Sequence, residues 1–170
     1  MIRLATKEDL KELKDIYYNA VTHMQDEGNT TQWNDLNEFI EDVTNYINKN
    51  MFYVLEEENE LIGFFAFIKH KDVAYDEIRG KWLNDEPYYV IHKIASKYYQ
   101  RHIASKILNY VIEETLKDNI YNIRIDTHEH NISMQTFLKK HGFVNCGIIS
   151  YKADFSILST HRLAYIKVLK

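Results

Sequence analysis

The segment from Tyr98 to Phe143 restricts the fold of this chain more than any other. Apolar residues recur at helical spacing over His102–Leu116, and a second helix is predicted over Ile132–His141. The strands predicted around these helices are Tyr88–Ala95, Asn122–Thr127 and Phe143–Ser150. Strand, helix, strand, helix and strand in this order indicate an α/β or α+β fold with a mixed sheet.

The first half of the chain adds two helices and a hairpin to this pattern. Thr6-Lys7-Glu8-Asp9 resembles a capping box that introduces the first helix, and Leu36–Asn48 is predicted to form the second. The segment Lys69–Pro87, with its charges and the only proline, is predicted to be a loop. The remaining predicted strands are Ile2–Ala5, Phe52–Glu56, Leu61–Ile68 and Leu163–Val168.

The composition describes one domain of ordinary size that comprises residues 1–170, with 45% hydrophobic residues to build a core. A net charge of −4 gives no general attraction for nucleic acid, so no nucleic-acid partner is expected. An apolar run of about 18 residues, as a membrane helix needs, does not occur in the sequence. Cys146 is the only cysteine, which fits a reducing compartment and predicts a cytoplasmic protein. The histidines show no metal-ligand spacing, so no metal is expected.

The turn predicted at Tyr99–Ala104 has features of an anion site. It places the backbone N–H groups of residues 100–105 at the start of a helix, where they lack intrahelical partners and the helix dipole favours an anion. Lys97, Arg101 and Lys106 add positive charge nearby. The local pattern allows two interpretations: a pyrophosphate site, or an ordinary amphipathic helix with a basic first turn.

A family resemblance extends over nearly the whole chain. Tyr99-Gln100-Arg101-His102-Ile103-Ala104 is similar to the Gln/Arg-x-x-Gly-x-Gly/Ala signature of the GNAT superfamily of N-acetyltransferases. Val90–Ala95 resembles the central strand of that family, and Asn131–Phe143 resembles its Asn-x-x-Ala-x-x-Leu-Tyr-x-Lys-x-Gly-Phe segment. Arg124–His128 and Arg162–Tyr165 look typical of a bacterial branch whose acceptors are unassigned.

The resemblance implies a fold and an activity. The fold is a central, mixed but mostly antiparallel twisted sheet of about six to seven strands, flanked by about four helices. The activity is direct transfer of an acetyl group from acetyl-CoA, as co-substrate, to a primary amine on a small molecule or peptide. The family's frequent dimers also allow a homodimer, and neither a metal nor a membrane is implied.

The resemblance also implies positions for the cofactor. The turn would hold the pyrophosphate, the central strand would pair with the pantetheine arm, and the neighbouring strand Asn122–Thr127 would splay away to open a cleft. Asn131 and the helix that follows it would line the far side. The implied cofactor-binding residues are His92, Lys93, Ile94, Gln100, Arg101, His102, Ile103, Ala104, Ser105, Asn131, Met134 and Phe137.

Two residues depart from the family pattern. His102 replaces the signature glycine; if this position is already helical, the side chain costs little, and we expect altered phosphate contacts without loss of binding. Leu138 stands where many members carry a tyrosine thought to protonate the leaving thiolate, so the general acid is unassigned. A thiol with a pKa near ~8.5 leaves tolerably without a dedicated acid.

The predicted catalytic residues are His92, Asp126 and His128. His92 is the first candidate for the general base, because it lies beside the expected thioester and titrates near neutrality. Its alternative role is that of a histidine packed structurally under the sheet. Asp126 and His128 follow the next strand at a sheet edge where ligands often bind, although Asp126 has an alternative role as an anchor of the turn into Asn131.

Acceptor recognition is expected from variable aromatic loops. Trp33, Trp82 and Tyr88 are the predicted substrate-binding residues, although either tryptophan could instead cap the core. Acidic residues near the first loop favour a cationic amine. Two alternative functions remain: a non-catalytic acyl-CoA-binding sensor module, and a toxin that acetylates aminoacyl-tRNA, which the net charge of −4 disfavours.

Overall fold

The structure is a computed structural model that describes residues 1–98, 102–151 and 155–170. In these ranges, eight strands form one sheet in the order β1-β2-β3-β5-β6-β8-β7-β4. The strands are β1 (Ile2–Leu4), β2 (Phe52–Glu57), β3 (Glu60–Ile68), β4 (Ile78–Gly80), β5 (Tyr89–Ser96), β6 (Asn122–Thr127), β7 (Val144–Ser150) and β8 (His161–Val168). The helices are α1 (Leu10–Asp26), α2 (Leu36–Asn48), α3 (Ile103–Lys117) and α4 (Ile132–Lys140).

Hydrophobic packing places two helices on each face of the sheet. Successive residues of β3 point to opposite faces, so Phe64 joins the core under α1 and α2 while Phe65 joins the core under α3 and α4. Leu13 of α1 and Phe39 of α2 pack in the first core, and Ile107 of α3 packs in the second. The predicted class, a mixed sheet covered by four helices, is confirmed.

The sheet is antiparallel except at its centre, where β5 and β6 run parallel. These two strands pair at Tyr89↔Ile123 and Val90↔Arg124 and then separate. The splay predicted for Asn122–Thr127 is therefore present, and it opens a cleft between the carboxyl-terminal halves of β5 and β6.

The sheet has eight described strands, more than the six to seven predicted, because the segment Lys69–Pro87 is not only a loop. Its residues Ile78–Gly80 form β4, which pairs antiparallel with β7, for example at Ile78↔Ile149. A strand of three residues has no periodicity to read in the sequence, and its partner lies about seventy residues away. Other boundaries agree closely: α2 and β6 have the predicted ends.

The capping box at the start of the chain is confirmed. The Asp9 carboxylate accepts a hydrogen bond of 2.7 Å from the Thr6 backbone N–H, and it also pairs with Arg3 at 2.9 Å. This arrangement fixes β1 to the beginning of α1. Among the helices of the described residues, none combines the length and the apolarity needed to cross a bilayer.

Two glycines allow the backbones of β4 and β7 to touch. Gly147 has φ +136°, and a Cβ added there would lie 2.2 Å from the Arg79 carbonyl oxygen. Gly80 opposite it has φ +139° and is equally crowded. Glycine is therefore required at both positions, because the backbone has a positive φ and because no space is left for a Cβ atom between the two strands.

We expect Gly147→Ala to lower the free energy of unfolding by about 2 kcal/mol or more, since backbone strain and overpacking act together. Gly28→Ala is the matched control, because Gly28 also has a positive φ of +84° but nothing lies within 4 Å of an added Cβ. Urea denaturation of both variants measures the difference. Equal destabilisation of the two would contradict a packing role for Gly147.

Candidate functional site

The cleft is shaped by a bulge in β5 at Lys93. The β3–β5 register changes between Phe64↔Ala95 and Ala66↔His92, so β5 carries one extra residue. Lys93 adopts a left-handed backbone with φ 50°, and its Nζ pairs with Asp42 of α2 at 2.9 Å. Because a bulge bends the strand that carries it, this local irregularity turns the end of β5 away from β6.

Two cavities occupy the cleft and share four of their lining residues. The larger cavity has a volume of about 450 Å³ and contains His92 and Asp126 in its wall. The smaller cavity has a volume of about 330 Å³ and lies against the start of α3. The shared residues, called the neck below, are Met24, Ile94, Asn131 and Met134.

The smaller cavity gathers most of the predicted cofactor residues that the structure describes. Its wall includes Ile94, His102–Ser105, Asn131, Met134 and Phe137. Among the described residues, the first hydrogen bond at the start of α3 runs from the Lys106 N–H to the His102 carbonyl at 3.1 Å, so the N–H groups of residues 103–105 belong to the first turn of the helix. Such groups are the usual donors to a phosphate at a helix N-terminus.

His102 adopts the backbone conformation that the signature glycine would adopt. Its φ of 53° and ψ of 31° are left-handed, and α3 begins one residue later. The expectation that position 102 is already helical is therefore wrong, and the histidine costs about 1–2 kcal/mol relative to a relaxed backbone. Altered phosphate contacts stay a prediction. Gln100 and Arg101, the other predicted residues of this turn, lie outside the described residues.

Asn131 connects the two sides of the cleft. Its Oδ1 caps α4 by accepting from the Met134 N–H at 3.1 Å, and its Nδ2 donates to Gln32 Oε1 at 3.3 Å. Ser133 reinforces the link, because its hydroxyl contacts Glu27 and lies 3.2 Å from His23 Nε2. The end of α1, the loop after it and the start of α4 are thus held together across the cleft.

His92 lies in the larger cavity between two carboxylates. Its Nε2 is 2.7 Å from Asp72 Oδ2, and its Nδ1 is 3.5 Å from Asp126 Oδ2. Since an ionised carboxylate only accepts, the short contact places a proton on Nε2. Burial acts to raise the pKa of Asp72, but the hydrogen bonds that it accepts from His92 and from the Ala74 backbone N–H, together with its electrostatic interaction with His92, outweigh burial, so the pKa of Asp72 lies below its usual value.

Asp126 is the centre of this cluster and has only 1% of its side chain exposed. The Tyr75 hydroxyl donates to Oδ2 and the Tyr151 hydroxyl to Oδ1, both at 2.7 Å. Burial and the adjacent Asp126 charge raise the pKa of both tyrosines well above the usual value. Among the described residues, the two tyrosines occupy this carboxylate, so the alternative role as an anchor of the turn into Asn131 is not what the geometry shows.

His128 lies outside both cavities, and both of its ring nitrogens are occupied. Nδ1 accepts from the His130 backbone N–H at 3.1 Å, which places the proton on Nε2, 3.0 Å from Thr31 Oγ1. Burial lowers the pKa of His128, and the positive charges of Arg162 and His130 lower it further. His128 is held in the turn after β6 by both ring nitrogens. The catalytic role predicted for it stays a prediction that its position outside both cavities does not support.

The three predicted substrate-binding residues have different positions. Trp33 lines the larger cavity, where its carbonyl accepts from the Tyr17 hydroxyl at 2.6 Å. Trp82 is 8% exposed, donates its indole N–H to the Tyr75 carbonyl at 3.0 Å and lies outside both cavities. Tyr88 is also buried outside both cavities. Both side chains stack on Arg124, so Trp82 and Tyr88 belong to the core, and of these three residues only Trp33 lines the larger cavity.

Four residues of the site were not predicted from the sequence: Asp72, Tyr75, Tyr151 and Arg162. Asp72 and Tyr75 come from the segment predicted to be a loop, where charged and aromatic residues carry no periodic signal. Their role depends on contacts with β5 and β6 that only the folded chain creates. Among the described residues, no group of three or more His, Cys, Asp or Glu side chains is placed to hold a metal ion.

Comparisons with known proteins agree with this architecture. Residues 2–152 match the family model described as an acetyltransferase (GNAT) domain. A GNAT-family acetyltransferase from Streptococcus agalactiae is 28% identical, with a TM-score of 0.82 over 100% of this chain and 95% of that one. A putative acetyltransferase from Staphylococcus aureus Mu50 is 26% identical, with a TM-score of 0.74 over 100% and 99%.

A more distant structure supports the fold alone. The PaiA N-acetyltransferase of Thermoplasma acidophilum, in complex with coenzyme A, is 18% identical, with a TM-score of 0.68 over 99% of this chain and 98% of that one. A search of curated proteins finds no match. The mixed sheet with its four helices has the fold of these acetyltransferases. The chain belongs to the GNAT family of acetyltransferases.

His128 makes the stability of the protein depend on pH. Because its pKa is lower in the folded than in the unfolded chain, the unfolded chain binds more protons just below pH 6.5. The stability that neutral His128 contributes is therefore fully present above the pKa of the unfolded chain, and it is lost as the pH falls through 6.5 toward the pKa of the folded chain.

We expect the free energy of unfolding of His128→Asn to fall less than that of the wild type between pH 7.5 and pH 5, roughly the range over which a histidine titrates. The asparagine has no titrating ring, and its amide oxygen keeps an acceptor for the His130 N–H. Denaturation at several pH values measures this slope. His70→Asn, at an exposed histidine, is the control and should keep the wild-type slope. An unchanged slope in the His128 variant would contradict the assignment.

Proposed function

We propose that this acetyltransferase transfers the acetyl group of acetyl-CoA directly to a primary amine on a small molecule or peptide. The observation that carries the proposal is the continuous cleft. It has the N-terminus of α3 at one end, a histidine between two carboxylates at the other, and a shared neck between them. This is the arrangement that a two-substrate transfer requires, because it brings an anionic carrier and an amine to one point.

The residues of the smaller cavity fit the CoA part of the co-substrate. The N–H groups of residues 103–105 would bind the pyrophosphate, and the end of β5 that separates from β6 would offer backbone groups to the pantetheine amides. Met134 and Phe137 would cover the apolar part of the arm. When bound, acetyl-CoA supplies the thioester carbonyl that the amine nitrogen attacks, and the C–S bond breaks to release the thiol.

The acceptor must lose a proton before it can attack. A lysine-like amine is mostly protonated at pH 7, which costs roughly 4–5 kcal/mol. His92 is the proposed base: Nε2 donates to Asp72, and the other nitrogen, Nδ1, is 3.5 Å from Asp126, beyond normal hydrogen-bond distance. Nδ1 therefore keeps a lone pair that can take the proton directly or through one water.

The two carboxylates then have distinct roles. Asp72 fixes the ring and the tautomer, as the carboxylate of a catalytic triad does. Asp126 stabilises the imidazolium that forms when Nδ1 is protonated, because the new N–H is directed toward a buried anion. Leu138 is 1% exposed and packs in the core, so its position offers no acid. His92, once protonated, is the proposed proton donor for the leaving thiolate, because it lines the larger cavity.

We expect His92→Gln to lower kcat by about 10²–10⁴-fold, since proton transfer by a positioned base contributes that much. Asp72→Asn should lower kcat less and alter the pH profile of kcat/KM, because the asparagine no longer fixes the Nε2–H tautomer. Thiol release from acetyl-CoA across a panel of amines, measured at several pH values, provides both readouts.

Cys146→Ser is the control for a covalent route. Cys146 is buried in β7 outside both cavities, and burial raises its pKa, so the serine variant should keep nearly full activity. A His92→Gln enzyme within about threefold of wild type would remove the proposed base, given the size of the effect expected of one. Acetyl-CoA binding without turnover on any amine would favour the sensor alternative.

A further inference from the structure

Arg162 in the wall of the larger cavity is a buried cation without an anionic partner. It is 8% exposed, and its Nη1 donates to the Ser159 carbonyl at 2.9 Å and to the His161 carbonyl at 2.7 Å. Within the described residues, its Nε is buried without an acceptor, its Nη2 makes no hydrogen bond, and no carboxylate forms an ion pair with it. Three of its five N–H groups are therefore unmatched.

Such a state is unusual for an arginine, and at the wall of a cavity it leaves N–H groups that a ligand can accept from. Arginine is rarely buried unless it is paired, because both the charge and the N–H groups lose their solvation. The guanidinium of Arg162 lies 4.7 Å from the centre of the Tyr151 ring. This contact covers one face of the guanidinium plane and provides no acceptor for its N–H groups.

Arg124 shows how this chain buries an arginine for structural purposes. Its guanidinium lies 4.0 Å from the Trp82 ring and 3.8 Å from the Tyr88 ring, and its Nη2 donates to the Asn84 carbonyl. Its Nε, like that of Arg162, is buried without an acceptor among the described residues, so aromatic rings on the guanidinium are what compensate its burial. Arg124 lies outside both cavities, whereas Arg162 lines the larger one. The difference in position and in aromatic contacts separates a packed arginine from one available to a ligand.

We propose that the acceptor amine carries a carboxylate and that Arg162 binds it. This inference rests on the proposed function and names its substrate class, an amino acid or a related amino carboxylate. The planar fork of a guanidinium matches the two oxygens of a carboxylate. Ser159 lies in the same wall and adds a hydroxyl donor beside the guanidinium.

The charges of the cavity match an acceptor with opposite charges at two points. Arg162 contacts the Tyr151 ring, whose hydroxyl reaches Asp126, and Asp126 lies 3.5 Å from His92. The carboxylate site is thus about one tyrosine side chain from the base. The amine, still protonated on arrival, is attracted to Asp72 and Asp126, while the carboxylate is attracted to Arg162.

The rest of the wall favours a single carboxylate over a dianion. Asp35, Glu38 and Asp42 lie on the α2 side of the cavity, and Lys93, the one lysine among the described residues of this wall, is already paired with Asp42 at 2.9 Å. A phosphate would add a second negative charge to this acidic environment, and Arg162 alone would have to compensate it. A carboxylate requires one cation, and one is present.

The test compares acceptors that share the body of pentylamine. Norleucine carries a carboxylate next to the amine, ε-aminocaproate carries it at the far end, and cadaverine carries a second amine there. We expect kcat/KM of the wild-type enzyme for one of the two carboxylates to exceed that for pentylamine by about tenfold or more, as for a site built around a polar group. A preference for pentylamine or cadaverine would overturn the inference without involving any variant.

Variants at Arg162 assign the preference to its guanidinium. Arg162→Met should reduce the ratio of kcat/KM between carboxylate and pentylamine to near one, and Arg162→Lys should retain part of it. Arg79→Met is the matched control, because Arg79 is an exposed arginine over the Phe155 ring at 4.3 Å, outside both cavities, and this variant should keep the ratio. A ratio that Arg162→Met leaves unchanged would overturn the inference.

Binding separates this inference from the proposed function. Isothermal titration of norleucine and ε-aminocaproate into the enzyme with CoA measures affinity without turnover. Binding that needs Arg162 but leads to no acetyl transfer would keep the inference and reject the proposed function. Acetylation of pentylamine with no preference for either carboxylate would do the reverse. Failure of both carboxylates to bind would overturn the inference.

Discussion

The short parallel pairing of β5 and β6 is the constraint on which the site depends. Two residue pairs hold the strands together, and the bulge at Lys93 then bends β5 away. The opened cleft contains both cavities, the start of α3 faces one of them, and His92 faces the other. If the pairing continued to Ser96 and Thr127, ladder hydrogen bonds would fill this space and no cleft would remain.

The acid–base cluster depends on the same separation. Asp126 is on β6 and His92 on β5, and their side chains approach to 3.5 Å beyond the last paired residues. Tyr75 and Tyr151, from outside these two strands, each donate to one oxygen of Asp126, so both oxygens of this buried carboxylate are hydrogen-bonded. His92 therefore has a buried, fully hydrogen-bonded carboxylate 3.5 Å from its Nδ1, which a solvated histidine lacks.

The sequence predicted the elements well where periodicity was strong and poorly where contacts were long-range. The ends of α2 and β6 agree with the structure because their patterns are long and uniform. The three-residue strand β4 and the contact of Asp72 with His92 were missed, since both arise from a segment without periodicity. His102 was assigned to a helix because its left-handed backbone is set by its neighbours and leaves no trace in its own identity.

The neck has a consequence for the lifetime of the activated acetyl group. Its four side chains, Met24, Ile94, Asn131 and Met134, include neither an ionisable group nor a nucleophile. A thioester seated there would meet thioether, hydrocarbon and amide, none of which can capture an acyl group or activate water. Under the proposed function, the neck side chains would therefore not assist hydrolysis of the thioester, and the acceptor would have to bring the nucleophile that the neck lacks.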